Sequence, residues 1–134
     1  ELSGGKDTQL ANISTRGLVQ TGDNVLIGGV ILGGDSGSAA ILVRAIGPSL
    51  PSSVANRLAN PTLEVRDANG ALVQSNDDWT KSAQKAEIEA TGIPPEDDLE
   101  SAVVGTLTPG AYTAIVSGKN GGTGVGLVEV YRLP

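Results

Sequence analysis

Apolar and polar residues alternate through residues 61–79 in a way that predicts a β-hairpin. Leu63 and Val65 alternate with the charged residues Glu64 and Arg66, which is the period of a strand with one buried face. Residues 67–70 then supply a turn, because Asn and Gly tolerate the positive φ angles of tight hairpins. The return strand begins at residues 71–73 and ends in a run of oxygen-bearing side chains, residues 75–78.

Other apolar runs, separated by turns rich in Gly or Pro, predict further strands. Residues 25–32 are almost wholly apolar, so we expect a strand buried on both faces, with a bulge or bend at Gly28 and Gly29. Residues 101–107 and 111–117 are expected to form a second hairpin across 108–110. The remaining predicted strands are residues 10–19, 39–46 and 125–132.

Residues 79–91 are the best helix candidate. Thr80 or Ser82 can cap the amino terminus, and Gly92 is placed to end the helix. The expected apolar stripe consists of Ala83, Ala86, Ile88 and Ala90. The predicted fold is therefore all-β, a jelly-roll-like β-sandwich of about eight strands with one short helix. Residues 10–134 form its single domain, and residues 1–9 form an arm or linker.

Composition excludes several kinds of chemistry. The 134 residues include neither Cys nor His, so disulfides, thiolate or imidazole metal ligands and imidazole bases are absent. A formal charge of −6 argues against nucleic acid and anionic membrane surfaces as partners. No apolar run approaches the length of a membrane span. The sequence has no initiator Met and no basic-then-apolar signal sequence, so we expect a mature or excised fragment. An acidic, Cys-free β-protein rich in Gly, Thr and Asn fits a secreted bacterial protein, extracellular or at the cell surface.

Several motifs of the carboxy-terminal half resemble the bacterial pre-peptidase C-terminal domain. These are the strand and Asn-Gly turn of residues 63–70, the Asn-Asp step of residues 75–78, the Pro-Gly-Ala-Tyr sequence before residues 113–118, and the Gly-rich turn of residues 121–124. The resemblance covers roughly residues 61–131. It implies a non-catalytic jelly-roll-type module attached to a secreted bacterial enzyme, and some relatives bind calcium or extracellular polymers.

The amino-terminal half does not follow that pattern. Residues 12–17 and 47–50 resemble a repeat found at the ends of large bacterial surface proteins, to which no activity attaches. The helix at residues 81–90 is an insertion relative to the pre-peptidase family.

Acidic residues cluster between positions 77 and 100, and they suggest a cation site. Ca²⁺ prefers six to eight oxygen ligands from carboxylates, carbonyls and amides. Such ligands would converge if the helix folded back over the strand ends. The alternative, which we favour from sequence, is a solvated acidic face that keeps the domain soluble. The candidate metal ligands are Asn76, Asp77, Asp78, Asp97, Asp98 and Glu100.

A hydrolase that uses two of these carboxylates is disfavoured, as is a carbohydrate-binding platform. Both need a cleft with several aromatic rings, and the chain has one Trp, two Tyr and no Phe. The more conservative interpretation of Trp79 is a lid over one end of the core.

Two functions from different classes remain. The first is a non-catalytic extracellular module for anchoring, spacing or binding, with Ca²⁺ as a candidate stabiliser. The second is a self-assembling structural subunit of an extracellular filament or surface layer. In that case residues 1–9 would add as a strand to the open sheet edge of a neighbour. The expected partners are thus other protein domains or copies of the chain itself.

Overall fold

A computed structural model describes residues 13–33 and 37–134. Within these ranges the chain forms eight strands, a single turn of 3-10 helix at Trp79–Lys81, a short helix α1 at Lys85–Ala90, and a second 3-10 turn at Lys119–Gly121. The strands are β1 (Ile13–Val19), β2 (Leu26–Leu32), β3 (Ala39–Ile46), β4 (Pro61–Arg66), β5 (Leu72–Asn76), β6 (Ser101–Leu107), β7 (Gly110–Gly118) and β8 (Gly124–Arg132).

The strands form two four-stranded antiparallel sheets, in the order β1-β8-β3-β6 in sheet A and β2-β7-β4-β5 in sheet B. This is the strand order of an eight-stranded jelly roll, which leaves two outermost strands in each sheet. The predicted all-β sandwich with one short helix is therefore confirmed. Within the described residues, no helix is long and apolar enough to cross a membrane.

The main core lies between the two sheets and is aliphatic. Alternate residues of each strand point inward, as the pleat requires. The fully buried side chains in this layer include Val43 of β3, Leu63 of β4, Val116 of β7 and Val128 of β8. Val128 and Val130 of the last strand face inward.

The β4–β5 hairpin forms as predicted. The carboxylate of Asp67 accepts hydrogen bonds from the backbone N–H groups of Asn69 and Ala71, and Gly70 has a φ of 81°. Side-chain capping of this kind stabilises the turn that Asn-Gly permits. The ladder is interrupted by a register shift between Val65 and Arg66, so the predicted regular hairpin carries one bulge.

Residues 77–100 leave sheet B, cross to the outer face of sheet A and form a second, smaller core there. Trp79 and Ile88 pack against Leu42 of β3, Val104 of β6 and Tyr131 of β8. Trp79 is thus part of a packed cluster on the outside of a sheet and not a lid over the end of the main core.

The helix prediction was too long and placed the apolar stripe wrongly. The α-helix is confined to Lys85–Ala90 and follows Gln84, which makes no side-chain capping bond. Ile88 is buried, but Ala83, Ala86 and Ala90 are exposed. Ile88 alone is enough to hold the short helix against sheet A, because Trp79, a few residues earlier, packs into the same cluster. Gly92, with a φ of 81°, follows the helix as predicted.

The prediction for residues 25–32 was wrong in two respects. β2 is an outermost strand with one exposed face, on which Ile27 and Ile31 are 52% and 82% exposed. Its register with β7 runs without a bulge through Gly28 and Gly29. An apolar run is compatible with burial on both faces, but its sequence does not show whether a second layer covers the outer face.

The predicted hairpin between residues 101–107 and 111–117 was also wrong. β6 pairs with β3 in sheet A, whereas β7 pairs with β2 and β4 in sheet B. Thr108 and Pro109 therefore carry the chain from one layer to the other. The Tyr112 hydroxyl donates to the carbonyl of Thr108 at 2.6 Å and stabilises this connection between the two sheets. The predicted arm at residues 1–9 and the predicted strand start at residue 10 lie outside the described residues.

Candidate functional site

Glu100, one of the six candidate metal ligands, is fully buried and bound by donors of the protein itself. Its carboxylate accepts the backbone N–H groups of Gly47 at 2.9 Å, Ser49 at 2.8 Å and Asp97 at 3.2 Å, and also the Ser49 hydroxyl. Four donors around one carboxylate satisfy it inside the protein. Its evident role is to hold the loop after β3 against the start of β6.

Asn76, Asp97 and Asp98 also have local roles or face solvent. The Asn76 amide oxygen accepts the backbone N–H of Ala102 at 3.0 Å, and its nitrogen donates to the carbonyl of Asp78 at 3.3 Å. The Asp97 carboxylate accepts the backbone N–H of Leu99 at 2.9 Å. Asp98 is exposed. Asn76 therefore links the end of β5 to β6, Asp97 forms a turn, and Asp98 is solvated.

Asp77 and Asp78 lie together beside Lys119, which follows β7. The ammonium group of Lys119 forms an ion pair with the Asp77 carboxylate. The hydrogen bond and the charge of Asp77, with a further contribution from Asp78, raise the pKa of Lys119 above its usual value. The backbone N–H of Lys119 donates to the carbonyl of Asn60 at 2.9 Å. Three strand ends of sheet B thus meet at this corner.

This corner contains the feature that best fits a cation. One side-chain oxygen each of Asn60, Asp77 and Asp78 is shielded from solvent and has no hydrogen-bond partner. Oxygen atoms in that state suit a hard cation. However, the described residues contain no group of three or more Asp or Glu that could hold a metal ion. The Lys119 ammonium already supplies one positive charge. Calcium therefore stays a prediction, with Asn60, Asp77 and Asp78 as the residues that would hold it.

The loop after β3 is fixed from two sides. Glu100 binds its N–H groups, while the Arg57 guanidinium donates to the carbonyls of Pro48 at 3.2 Å and Leu50 at 2.9 Å. A Cβ atom at Gly47 would meet the carbonyl oxygen of Leu58 at 2.0 Å, so only glycine fits there. The sequence singled out residues 47–50 but gave no sign of the two charged residues that hold them.

A second charged cluster lies on the outer face of sheet A. Arg44 of β3 forms an ion pair with Glu129 of β8, donates to the carbonyl of Ile93 at 3.2 Å, and lies 5.2 Å from the centre of the Tyr131 ring. Burial is the main cause that raises the pKa of Tyr131. The cluster attaches residues 77–100 to the outer face of sheet A.

The outermost strand β6 has its free edge covered by side-chain amides. Gln84 donates to the carbonyl of Val104 at 2.8 Å and accepts its backbone N–H at 3.0 Å, and Gln74 donates to the same carbonyl at 2.7 Å. Asn76 accepts the N–H of Ala102, as described above. A Cβ atom at Gly105 would meet Gln74 at 2.5 Å, so glycine makes room for this amide. These side chains occupy positions that an added strand would need.

The other outermost strands differ in how well they are protected. β1 carries the exposed charge of Arg16 on its outer face. β5 has five residues and a register shift against β4. β2 has seven residues, LIGGVIL, with no charge, no Pro and no bulge in its pairing. Charges, short length and bulges are the usual devices that prevent strand addition, and β2 shows none of them.

An apolar surface adjoins the open edge of β2 on the outer face of sheet B. Ile27 lies opposite Ile115 of β7, and Ile31 lies opposite Ala111. The next strand, β4, places Glu64 and Arg66 beside this row, where they form a surface ion pair. Within the described residues, the exposed apolar surface and the unprotected edge therefore coincide on one strand.

Comparisons with known proteins agree with this architecture. No protein-family model matches the chain, and the search of curated proteins found no similar one. Among solved structures, the chain is similar to the pre-peptidase C-terminal domain of collagenase from Bacillus anthracis, with 12% identity and a TM-score of 0.51. The similarity covers 90% of this chain and 89% of that domain, so it extends well beyond residues 61–131. At this identity the likeness concerns the fold: the chain has a jelly-roll fold like that of a pre-peptidase C-terminal domain.

Proposed function

We propose that the protein is a non-catalytic extracellular module that anchors, spaces or binds within a larger secreted bacterial assembly. The observation that carries the proposal is the use of its buried carboxylate, Glu100, and of the partly buried Arg44. Glu100 is bound by backbone N–H groups, and Arg44 is bound by Glu129 and by backbone carbonyls. Groups engaged in this way maintain the fold and are not free to move protons in a reaction.

The fold and the composition support the same proposal. A similar domain occurs in a collagenase, where it is named as a pre-peptidase C-terminal domain. The chain contains no His and no Cys, so acid–base or nucleophilic catalysis would depend on its carboxylates, hydroxyls and amines.

Two measurements test this function. Pure protein should not hydrolyse peptide, ester or glycoside substrates. Saturable turnover that an Asp78→Asn variant loses would overturn the non-catalytic part. Antibody against the module should label intact cells of the source organism or their medium. Labelling that requires permeabilised cells would overturn the extracellular part.

The unprotected edge of β2 favours a second candidate function, that of a self-assembling structural subunit. Unpaired backbone groups along a seven-residue strand are a template for another strand. In this function residues 1–9 of one copy would add to a sheet edge of the next. Electron microscopy of the pure protein separates the candidates, because fibres or rings favour assembly and monodisperse particles exclude it.

A further inference from the structure

The four outermost strands are not equivalent as acceptors for an added strand. Side-chain amides cover β6, Arg16 places a charge on β1, and β5 is short and bulged. We propose that the edge of β2 is the acceptor, and that the donor is the segment of residues 1–9 from a second copy of this chain. This inference rests on the self-assembling function proposed above and names the surface that performs it.

The acceptor edge offers both backbone and side-chain complementarity. A strand added beside β2 would continue sheet B and gain a ladder of main-chain hydrogen bonds. Its side chains on the outer face would lie beside Ile27 and Ile31, which are 52% and 82% exposed. Covering them removes apolar area from water, which strengthens the pairing.

The length and the position of the segment also fit. Twelve residues precede Ile13, and fully extended they reach about 40 Å. The seven residues of β2 span only about 24 Å. The strand registers place Ile13 at the same end of the sandwich as Leu32, where β2 stops. A segment leaving there can pass to a neighbouring molecule and still cover its whole β2 edge.

The donor and the acceptor are different parts of the chain, which sets the symmetry of the assembly. Each copy offers one segment and one edge, so the contact is head-to-tail. Such contacts build rings when the rotation closes and filaments when it does not. Two copies that exchange segments reciprocally would form a closed two-fold pair by the same contact.

The acceptor is tested by placing a charge on it. Gly29 is exposed, and a Cβ atom there would meet no atom within 4 Å, so Gly29→Lys is compatible with the folded sandwich. Ile31→Lys gives a second variant at the same edge. The matched control is Leu72→Lys on β5, an exposed residue at the opposite edge of the same sheet. Far-ultraviolet circular dichroism checks that all three variants are folded.

Light scattering after size exclusion then measures mass against concentration. The full chain and Leu72→Lys should associate, while Gly29→Lys and Ile31→Lys should remain monomeric. Association that survives both β2 variants would overturn the proposed acceptor but leave self-assembly intact. A full chain that is monomeric at all concentrations would overturn both.

The donor is tested by paramagnetic broadening between molecules. Because the chain has no Cys, Ser3→Cys carries a single nitroxide label. Mixed with unlabelled chain enriched in ¹⁵N, it should broaden the amide signals of β2 and not those of β5. Association that Gly29→Lys abolishes without any broadening of β2 would indicate pairing of two β2 strands, and would overturn the proposed donor. Broadening that appears only when label and ¹⁵N are on one chain would indicate that the segment covers its own edge, and would overturn the intermolecular contact.

Discussion

At the scale of single residues, Glu100 shows how a carboxylate in an acidic stretch can belong to the core. Its neighbours in sequence, Asp98 and Leu99, are exposed, while Glu100 has no exposed surface. Its place in the sequence groups it with the candidate metal ligands, because spacing alone cannot distinguish a solvated carboxylate from a buried one. The signal that sets it apart is spatial, a loop whose N–H groups point at one carboxylate.

Replacing this carboxylate should destabilise the fold. In Glu100→Gln an amide N–H₂ would face N–H donors, so buried donors would lose their acceptor. We expect a loss of unfolding free energy of about 1–3 kcal/mol or more, as for other buried groups left unsatisfied. Urea denaturation followed by tryptophan fluorescence measures the loss. Asp98→Asn, at an exposed position, is the matched control, and equal midpoints for the two variants would contradict the role given to Glu100.

The raised pKa values of Lys119 and Tyr131 predict that the folded protein loses stability at alkaline pH. The pKa values of Lys119 and Tyr131 are both raised, from usual values of 10.5 and 10.0. A group whose pKa is raised on folding binds its proton more tightly in the native state. Its contribution is therefore present below the unfolded pKa and lost as pH rises through the folded one.

Thermal melts should accordingly show stability falling above about pH 10. Tyr131→Phe should remove part of that fall, since phenylalanine cannot ionise, and Lys119→Gln should remove another part. An unchanged pH profile in both variants would show that other groups cause the alkaline loss.

The calcium prediction belongs to the corner of Asn60, Asp77 and Asp78. If a cation binds the unpartnered oxygens there, a chelator should lower the melting temperature and added Ca²⁺ should restore it, by the usual linkage of ligand binding to stability. Asp78→Asn should reduce the response. Melting temperatures that do not change with chelator or Ca²⁺ would remove the site.

At the scale of elements, the crossing segment 77–100 protects one edge of the sandwich as well as forming the second core. Gln84, at the start of α1, holds both the N–H and the carbonyl of Val104 on β6. Nothing in the pattern of residues around position 84 predicted this contact. Its partner is twenty positions away in sequence, so local propensity does not reveal it.

Removing the side-chain amides that bind Val104 should make the free edge of β6 a second site for strand addition. Gln74→Ala combined with Gln84→Ala would free the backbone groups of Val104, at a cost of about 1 kcal/mol for each lost hydrogen bond. We expect lower stability and concentration-dependent association that persists when Gly29→Lys is added. Sedimentation velocity makes the measurement. Gln20→Ala, at an exposed position, provides the control, and a monomeric double variant would contradict the protective role.

Single elements were more predictable than the relations between them. Alternation located β4, β5 and β8, and the Asn-Gly turn joined β4 to β5 correctly. The connection at Thr108 and Pro109 is as short as a hairpin loop, yet β6 and β7 lie in different sheets. Short connections of both kinds use Pro and Gly, so the residues there do not decide between a hairpin and a crossing.

At the scale of the whole molecule, the jelly-roll class followed from composition and turn spacing. The exposure of the outer face of β2 did not follow from either. The apolar run of residues 25–32 predicts a strand buried on both faces, because protein interiors and docking surfaces use the same residues. The structure distinguishes them by showing that no described part of the chain covers the outer face of β2, where Ile31 is 82% exposed.

We propose that this protein works by contact along the β2 edge and not by catalysis. Amide hydrogen exchange of the full chain at low and high concentration is the sharpest test of this proposal, because it reports on every strand at once. We expect the amides of Leu26–Leu32 to become protected as concentration rises, while those of β5 and β6 stay unchanged. Exchange in β2 that does not depend on concentration would contradict the proposal.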